Sequence, residues 1–228
     1  MAHLDAYNRP ISYLRISVTD RCNLRCIYCM PEEGVPWRAH DAMLQYEEIE
    51  TIVRAAAELG ITKVRLTGGE PLVRLGITDL VGMIAQIPNI DDLAMTTNGI
   101  LLARYAEPLA EAGLHRVNIS LDTLDAGRFR EITRCGELAD TLEGIEAARE
   151  AGLDPIKINT VVIRGMNDDE VVDLAAKTLE AGWWNIRFIE LMPVGNGELM
   201  TEAWEERVVT ADEIRVRIET AFGPLQPA

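Results

Sequence analysis

The chain has 228 residues, 48% of them hydrophobic and 26% charged, the composition of an ordinary globular protein with one sizeable core. Thirty-seven Asp and Glu against 22 Lys and Arg give a formal net charge of -15. That excludes a broad nucleic-acid-binding face while leaving room for a local basic pocket that holds a small anion. Met1 to Pro10 lacks the apolar stretch of a secretory signal, and no apolar run reaches the roughly eighteen residues of a membrane span. A cytosolic protein with reduced thiols is therefore expected.

In chain order, a first strand is predicted over Tyr13 to Val18, and three cysteines follow it. Ile49, Ile52, Val53, Ala56 and Leu59 then recur at helical spacing. Lys63 to Leu66 is the second strand, Leu80, Ile84 and Ile87 mark the second helix, Leu93 to Thr97 is the third strand, and Leu101 to Ala112 the third helix. Arg116 to Leu121, Ile156 to Ile163 and Asn185 to Leu191 complete six strands, with helices over Leu138 to Ala151 and Asp169 to Ala181. Gly60, Gly113, Gly152 and Gly182 follow helices as left-handed caps do. Asn167 to Glu170 and Thr210 to Glu213 read as capping boxes, the second ahead of Ile214, Ile218, Ala221 and Phe222.

Strands separated by crossover helices predict an α/β fold with a parallel sheet of right-handed units. The spacing suits a partial (βα)6 barrel with a short C-terminal helical extension, and a doubly wound sheet is the competing architecture. The expected organisation is a core over residues 1–193, with 194–228 as the truncated start of a C-terminal region.

The segment Thr19-Asp-Arg-Cys22-Asn-Leu-Arg-Cys26-Ile-Tyr-Cys29-Met-Pro31 lies at the C-terminal end of the first strand, the end where α/β barrels build their sites. Three thiolates there can hold three irons of a cubane cluster and leave the fourth iron open. Zinc on the three cysteines plus His3, His40 or His115 is the alternative, although none of these histidines has finger spacing. Cys135 reads as an incidental loop residue. Gly68 and Gly69, after the second strand, let the backbone approach a ligand closely.

A parallel strand buried on both faces should be nearly all apolar. Arg15, Arg65, Lys157 and Arg187 break that rule on four strands, with Thr96, Thr97, Asn98, Asn118 and Asn159 near them. Any one cation could pair with Glu70, Asp122 or Glu190, or snorkel to the rim. Four together, in so acidic a chain, point to a polyphosphate ligand.

The C-x3-C-x2-C spacing, with an aromatic residue before the last cysteine, resembles the signature of the radical S-adenosylmethionine (SAM) superfamily. Asn8 to Pro31, Lys63 to Arg74, Thr96 to Gly99, Asn118 to Asp122 and Ile186 to Pro193 resemble, more narrowly, the MoaA family of GTP 3′,8-cyclases of molybdenum cofactor biosynthesis. The resemblance covers nearly the whole chain.

It implies a [4Fe-4S] cluster on Cys22, Cys26 and Cys29, with SAM chelated by the open iron and cleaved to a 5′-deoxyadenosyl radical. Tyr28, Gly69, Ser120 and Met192 would line SAM. Arg15, Arg65, Thr96 and Lys157 would meet GTP, with Arg187 as a helper, and ribose hydrogen abstraction would lead to C3′–C8 closure. A flavodoxin-type electron donor, a homodimer as candidate assembly, and no nucleic-acid or membrane partner belong to the same expectation. Complete members of that family continue into a second three-cysteine cluster, for which only Cys135 is left here. SAM cleavage is therefore expected of this chain, with GTP cyclisation by it alone weak or absent.

Overall fold

The computed structural model describes residues 4–36, 42–195, 197–199 and 204–226. Six strands, β1 (Tyr13–Ser17), β2 (Lys63–Thr67), β3 (Asp92–Thr97), β4 (Arg116–Ser120), β5 (Lys157–Val162) and β6 (Asn185–Glu190), form one sheet in sequential order. Every neighbouring pair is parallel. A doubly wound sheet reverses its strand order at a switch point. This order has no reversal, so the open barrel is the correct architecture of the two.

The crossovers carry α1 (Tyr46–Glu58), α2 (Ile77–Ala85), α3 (Leu102–Glu111), α4 (Ala126–Thr133), α5 (Leu138–Glu150) and α6 (Val171–Ala181), and α7 (Ala211–Phe222) follows β6. The sequence reading misses α4, whose eight residues are too few for a clear period. Its signal is Asp125, whose carboxylate caps the helix by accepting the Arg128 N–H at 2.8 Å.

Alternation within each strand decides the two faces of the sheet. Val64, Leu66, Leu93, Met95, Val117, Ile119 and Ile158 are buried and join Ile49, Val53, Leu80, Ile84, Leu109 and Ile145 of the helices in the main core. The in-between positions, Arg15, Arg65, Arg116, Asn118 and Lys157 among them, form the opposite face. The strands are thus half apolar and half polar, unlike those of a sheet covered by helices on both sides.

The Thr210–Glu213 capping box is present. Ile214 and Ile218 of α7 pack with Val162, Val171 and Val209 in a second, smaller core. The expected box at Asn167 is not formed. Residues 168–170 make a 3-10 turn, and Asn167 is buried with its Oδ1 accepting the Ile163 N–H at 2.7 Å. Its Nδ2 donates to the Asp122 and Val161 carbonyls at 2.6 and 2.9 Å, so tertiary partners outcompete the local cap. Among the described residues no helix is long and apolar enough to cross a membrane.

Candidate active site

The cysteine loop leaves the C-terminal end of β1 and is held from three sides. Gly69 N donates to the Thr19 carbonyl and Glu70 N to the Arg21 carbonyl, both at 2.7 Å, so the Gly-Gly-Glu turn after β2 runs alongside it. Gly69 is required here, because a Cβ would overlap the Arg21 carbonyl. On the second side, Arg25 N and Ile27 N each donate at 2.9 Å to the carbonyls of Thr133 and Ile132 at the end of α4. On the third, Leu199 N donates to the Ile27 carbonyl at 3.1 Å. Arg134 spans the parts: Nη1 donates to the Arg25 and Met30 carbonyls at 3.0 and 3.3 Å, and Nη2 pairs with the Glu198 carboxylate.

All four cysteines are free; Cys22 and Cys26 are half-buried and Cys29 is exposed. Among the described residues no three His, Cys, Asp or Glu side chains converge as a single metal ion would need. His115 is committed elsewhere, its Nδ1 accepting the Leu93 N–H at 3.0 Å, while His3 and His40 lie outside the described residues. Three thiols spread over one loop instead suit a cubane, each iron of which takes one ligand. Leu24 N and Asn98 Nδ2 donate to Cys22 Sγ at 3.4 and 3.9 Å, the hydrogen bonding that tunes such centres. Burial pushes the Cys22 thiol up to about 11 and raises those of Cys26 and Cys29. Thiolate is the form that ligates iron, so cluster binding at these cysteines would release their protons. The donor set fits a cluster. Cys135 lies against this loop, its thiol 3.5 Å from the Asn23 carbonyl oxygen, a placement that its sequence position does not signal.

The residues expected at SAM come from four elements at this one end of the sheet. Tyr28 is in the cysteine loop, Gly69 follows β2, Ser120 ends β4, and Met192, 52% exposed, follows β6. The Tyr28 hydroxyl donates to Asp122 Oδ2 at 2.7 Å, and Asp122 Oδ1 accepts the Val161 N–H at 2.8 Å. Burial is the larger influence on Asp122 and pushes its carboxyl up to about 6 against those two hydrogen bonds.

The polar face of the sheet carries the cations in tiers set by strand register. Arg15, Arg65, Ala94 and Arg116 are level; Thr96, Asn118 and Lys157 form the next tier; Ser120, Asn159 and Arg187 the one after. The sequence reading does not single out Arg116, although the alternation Arg116-x-Asn118-x-Ser120 places all three on one face. The carboxylates considered as partners for Arg15, Arg65, Lys157 and Arg187 are used elsewhere. Glu70 accepts from Thr97, Asn98 and Leu72, Asp122 from Tyr28 and Val161, and Glu190 from Ala211. Arg116 pairs with Asp92 at 2.6 Å. Burial lowers the Arg65 and Lys157 pKa values, and the neighbouring arginines lower them further. Among the described residues, the buried side-chain nitrogens and oxygens without a hydrogen bond are Arg65 Nε, Arg116 Nη1 and both amide atoms of Asn118. All lie on this face. Buried polar groups rarely lack partners, so the face is built to receive a polar, anionic ligand.

The model of the radical SAM superfamily matches residues 16–177, and the chain belongs to that superfamily. Among solved structures, methylornithine synthase superposes with a TM-score of 0.70 at 15% identity, over 93% of this chain and 63% of that one. Streptococcus suis SuiB bound to its precursor peptide gives 0.64 at 22% identity, over 77% and 39%; both similarities concern the fold. Curated relatives narrow the placement to the GTP 3′,8-cyclase family. The chain is 57% identical to the GTP 3′,8-cyclase of Pelotomaculum thermopropionicum over 98% of its own length and 68% of the relative's. Against that of Thermodesulfovibrio yellowstonii it is 52% identical over 98% and 68%, and against that of Petrotoga mobilis 53% over 87% and 61%. The chain thus spans about two thirds of the length of these relatives.

Proposed function

We propose that this chain forms the SAM-cleaving and GTP-holding part of a GTP 3′,8-cyclase of molybdenum cofactor biosynthesis. The observation that carries the reading is the polar sheet face: Arg15, Arg65, Arg116, Lys157 and Arg187, the four unpartnered buried polar atoms among the described residues, and a loop with three free cysteines at the strand ends above them. Bound there, a [4Fe-4S] cluster with SAM supplies reductive cleavage and hydrogen abstraction from the substrate.

The chain's own residues hold and orient. Cys22, Cys26 and Cys29 ligate the cluster, and the hydrogen-bonded walls of the loop keep their spacing. Tyr28, Gly69, Ser120 and Met192 surround SAM. Arg15, Arg65, Thr96 and Lys157, helped by Arg187, bind the nucleotide and keep its ribose at the SAM end of the sheet. Orienting the sugar in this way is worth more to the rate than binding alone. A flavodoxin-type electron donor, a homodimer and a cytosolic location are parts of the same reading, supported by family resemblance. So is a division into a core over 1–193 and the beginning of a C-terminal region from 194.

The test is anaerobic cluster reconstitution, then SAM and dithionite with and without GTP. Formation of 5′-deoxyadenosine that requires the three cysteines, together with GTP binding that requires Arg65 and Lys157, is the expected result. Little or no C3′–C8 closed product is expected from the 228-residue chain alone. Zinc in place of iron and no deoxyadenosine, in protein never exposed to air, would overturn the reading.

A further inference from the structure

The polar face carries residues that the GTP assignment above leaves without a role, Arg116 and Asn118 among them. Ser120 and Arg116 share one face of β4, four residues apart, which at the rise of a strand is about 13 Å. Ser120 is at the end of the sheet that carries the cysteine loop, and Arg116 is the first residue of its strand, at the far end. A nucleotide with its sugar by Ser120 and its phosphates directed along β4 would reach past Asn118 towards Arg116.

Arg116 is prepared for such a role. Asp92 takes its Nε at 2.9 Å and Nη2 at 2.6 Å, fixing the guanidinium plane, while Nη1 is buried and unpartnered. In register, Arg116 completes a row with Arg15 and Arg65, whose Nε is likewise buried and unpartnered. One tier nearer the cysteine loop, Asn118 is fully buried between Thr96 and Lys157, with neither amide atom hydrogen-bonded.

We infer that Arg116, held by Asp92, binds the terminal phosphate of the nucleotide and that Asn118 binds the phosphate before it, so that the sheet measures the length of the polyphosphate. The inference rests on the GTP reading above and adds to it a reason for preferring a triphosphate. In that complex Asn118 Nδ2 donates to a phosphate oxygen, beside Lys157, its neighbour in register. A charge-assisted hydrogen bond of this kind is worth about tenfold or more in affinity.

The experiment is calorimetric titration of the cluster-reconstituted, SAM-bound full chain with GTP, GDP and GMP. Arg116→Met should weaken GTP about tenfold or more while leaving GDP and GMP within about twofold. Asn118→Leu should weaken GTP and GDP alike and spare GMP. Asp92→Asn, which removes the charge that fixes the Arg116 guanidinium, should weaken GTP while leaving GDP and GMP within about twofold; damage to a merely structural ion pair would weaken all three or none. Arg116→Lys, which keeps the charge and disturbs the fold less, should fall between wild type and Arg116→Met for GTP alone.

Equal weakening of all three nucleotides by Arg116→Met or by Asp92→Asn, or no change for any of them with Arg116→Met, would overturn the inference and leave the GTP reading standing. A wild-type chain that forms deoxyadenosine but binds none of the three nucleotides would overturn both.

Discussion

The Thr97 hydroxyl donates to Glu70 Oε1 at 2.8 Å, joining the turn after β2 to the end of β3. Glu70 is 1% exposed, and its carboxylate also accepts the N–H of Asn98 at 2.7 Å and of Leu72 at 3.0 Å. Glu170 makes the same arrangement one strand further on, accepting the Thr123 hydroxyl at 2.6 Å and the Leu124 N–H at 2.7 Å. Each buried carboxylate satisfies a hydroxyl and the next backbone N–H at the end of a central strand. Through Glu70 N on the Arg21 carbonyl, the first of them also positions the cysteine loop.

Glu70→Ala should therefore lower stability by about 1–3 kcal/mol, the cost of leaving buried donors unpaired. It should also weaken SAM binding, because Glu70 helps to position the cysteine loop. Urea unfolding of the cluster-free chain and SAM titration of the loaded chain measure the two effects. Glu70→Gln, which keeps one acceptor oxygen, should lose less of both.

Single Ala replacements of Cys22, Cys26 and Cys29 should each abolish the four-iron centre, whereas Cys135→Ala should keep the full iron and sulfide content. Iron analysis with visible absorption decides this. Loss of iron in Cys135→Ala would make Cys135, whose thiol meets the Asn23 carbonyl, part of the cluster site.

Arg134 ties the cysteine loop to the segment containing Glu198. Arg134→Gly accepts the same left-handed backbone, φ 60°, and removes only the side chain. The loaded variant should bleach several-fold faster in air than wild type, followed by its visible absorption, because one wall over the cysteines is released. An unchanged bleaching rate would mean that the contacts of Leu199 hold that wall by themselves.

The Asp122 carboxyl titrates at about 6 in the fold against 3.8 for the ordinary group. A raised carboxyl favours the folded state while protonated, so its contribution is complete below about pH 4 and is lost as pH rises through 6. The cluster-free chain should lose on the order of 2–3 kcal/mol from this group between pH 4 and 7. Asp122→Asn should remove that dependence, which chemical denaturation across the pH range would show.

The sequence by itself determined the strands, most of the helices and the chemistry of the cysteine loop. These depend on local periods, caps and spacing: alternation in Arg116-x-Asn118-x-Ser120, the Thr210–Glu213 box, and three cysteines on one short segment. Tertiary structure decided the rest, because it depends on which strands become neighbours. The sequential strand order separated the open barrel from the doubly wound sheet. It turned Asn167 from an expected helix cap into a buried bridge between the Asp122 and Val161 carbonyls. It also set Arg116 level with Arg15 and Arg65 and gave Arg116 its partner Asp92. A charge at the start of a strand looks in the sequence like a residue on the rim; only the register of the strands beside it, together with burial, makes it part of a site.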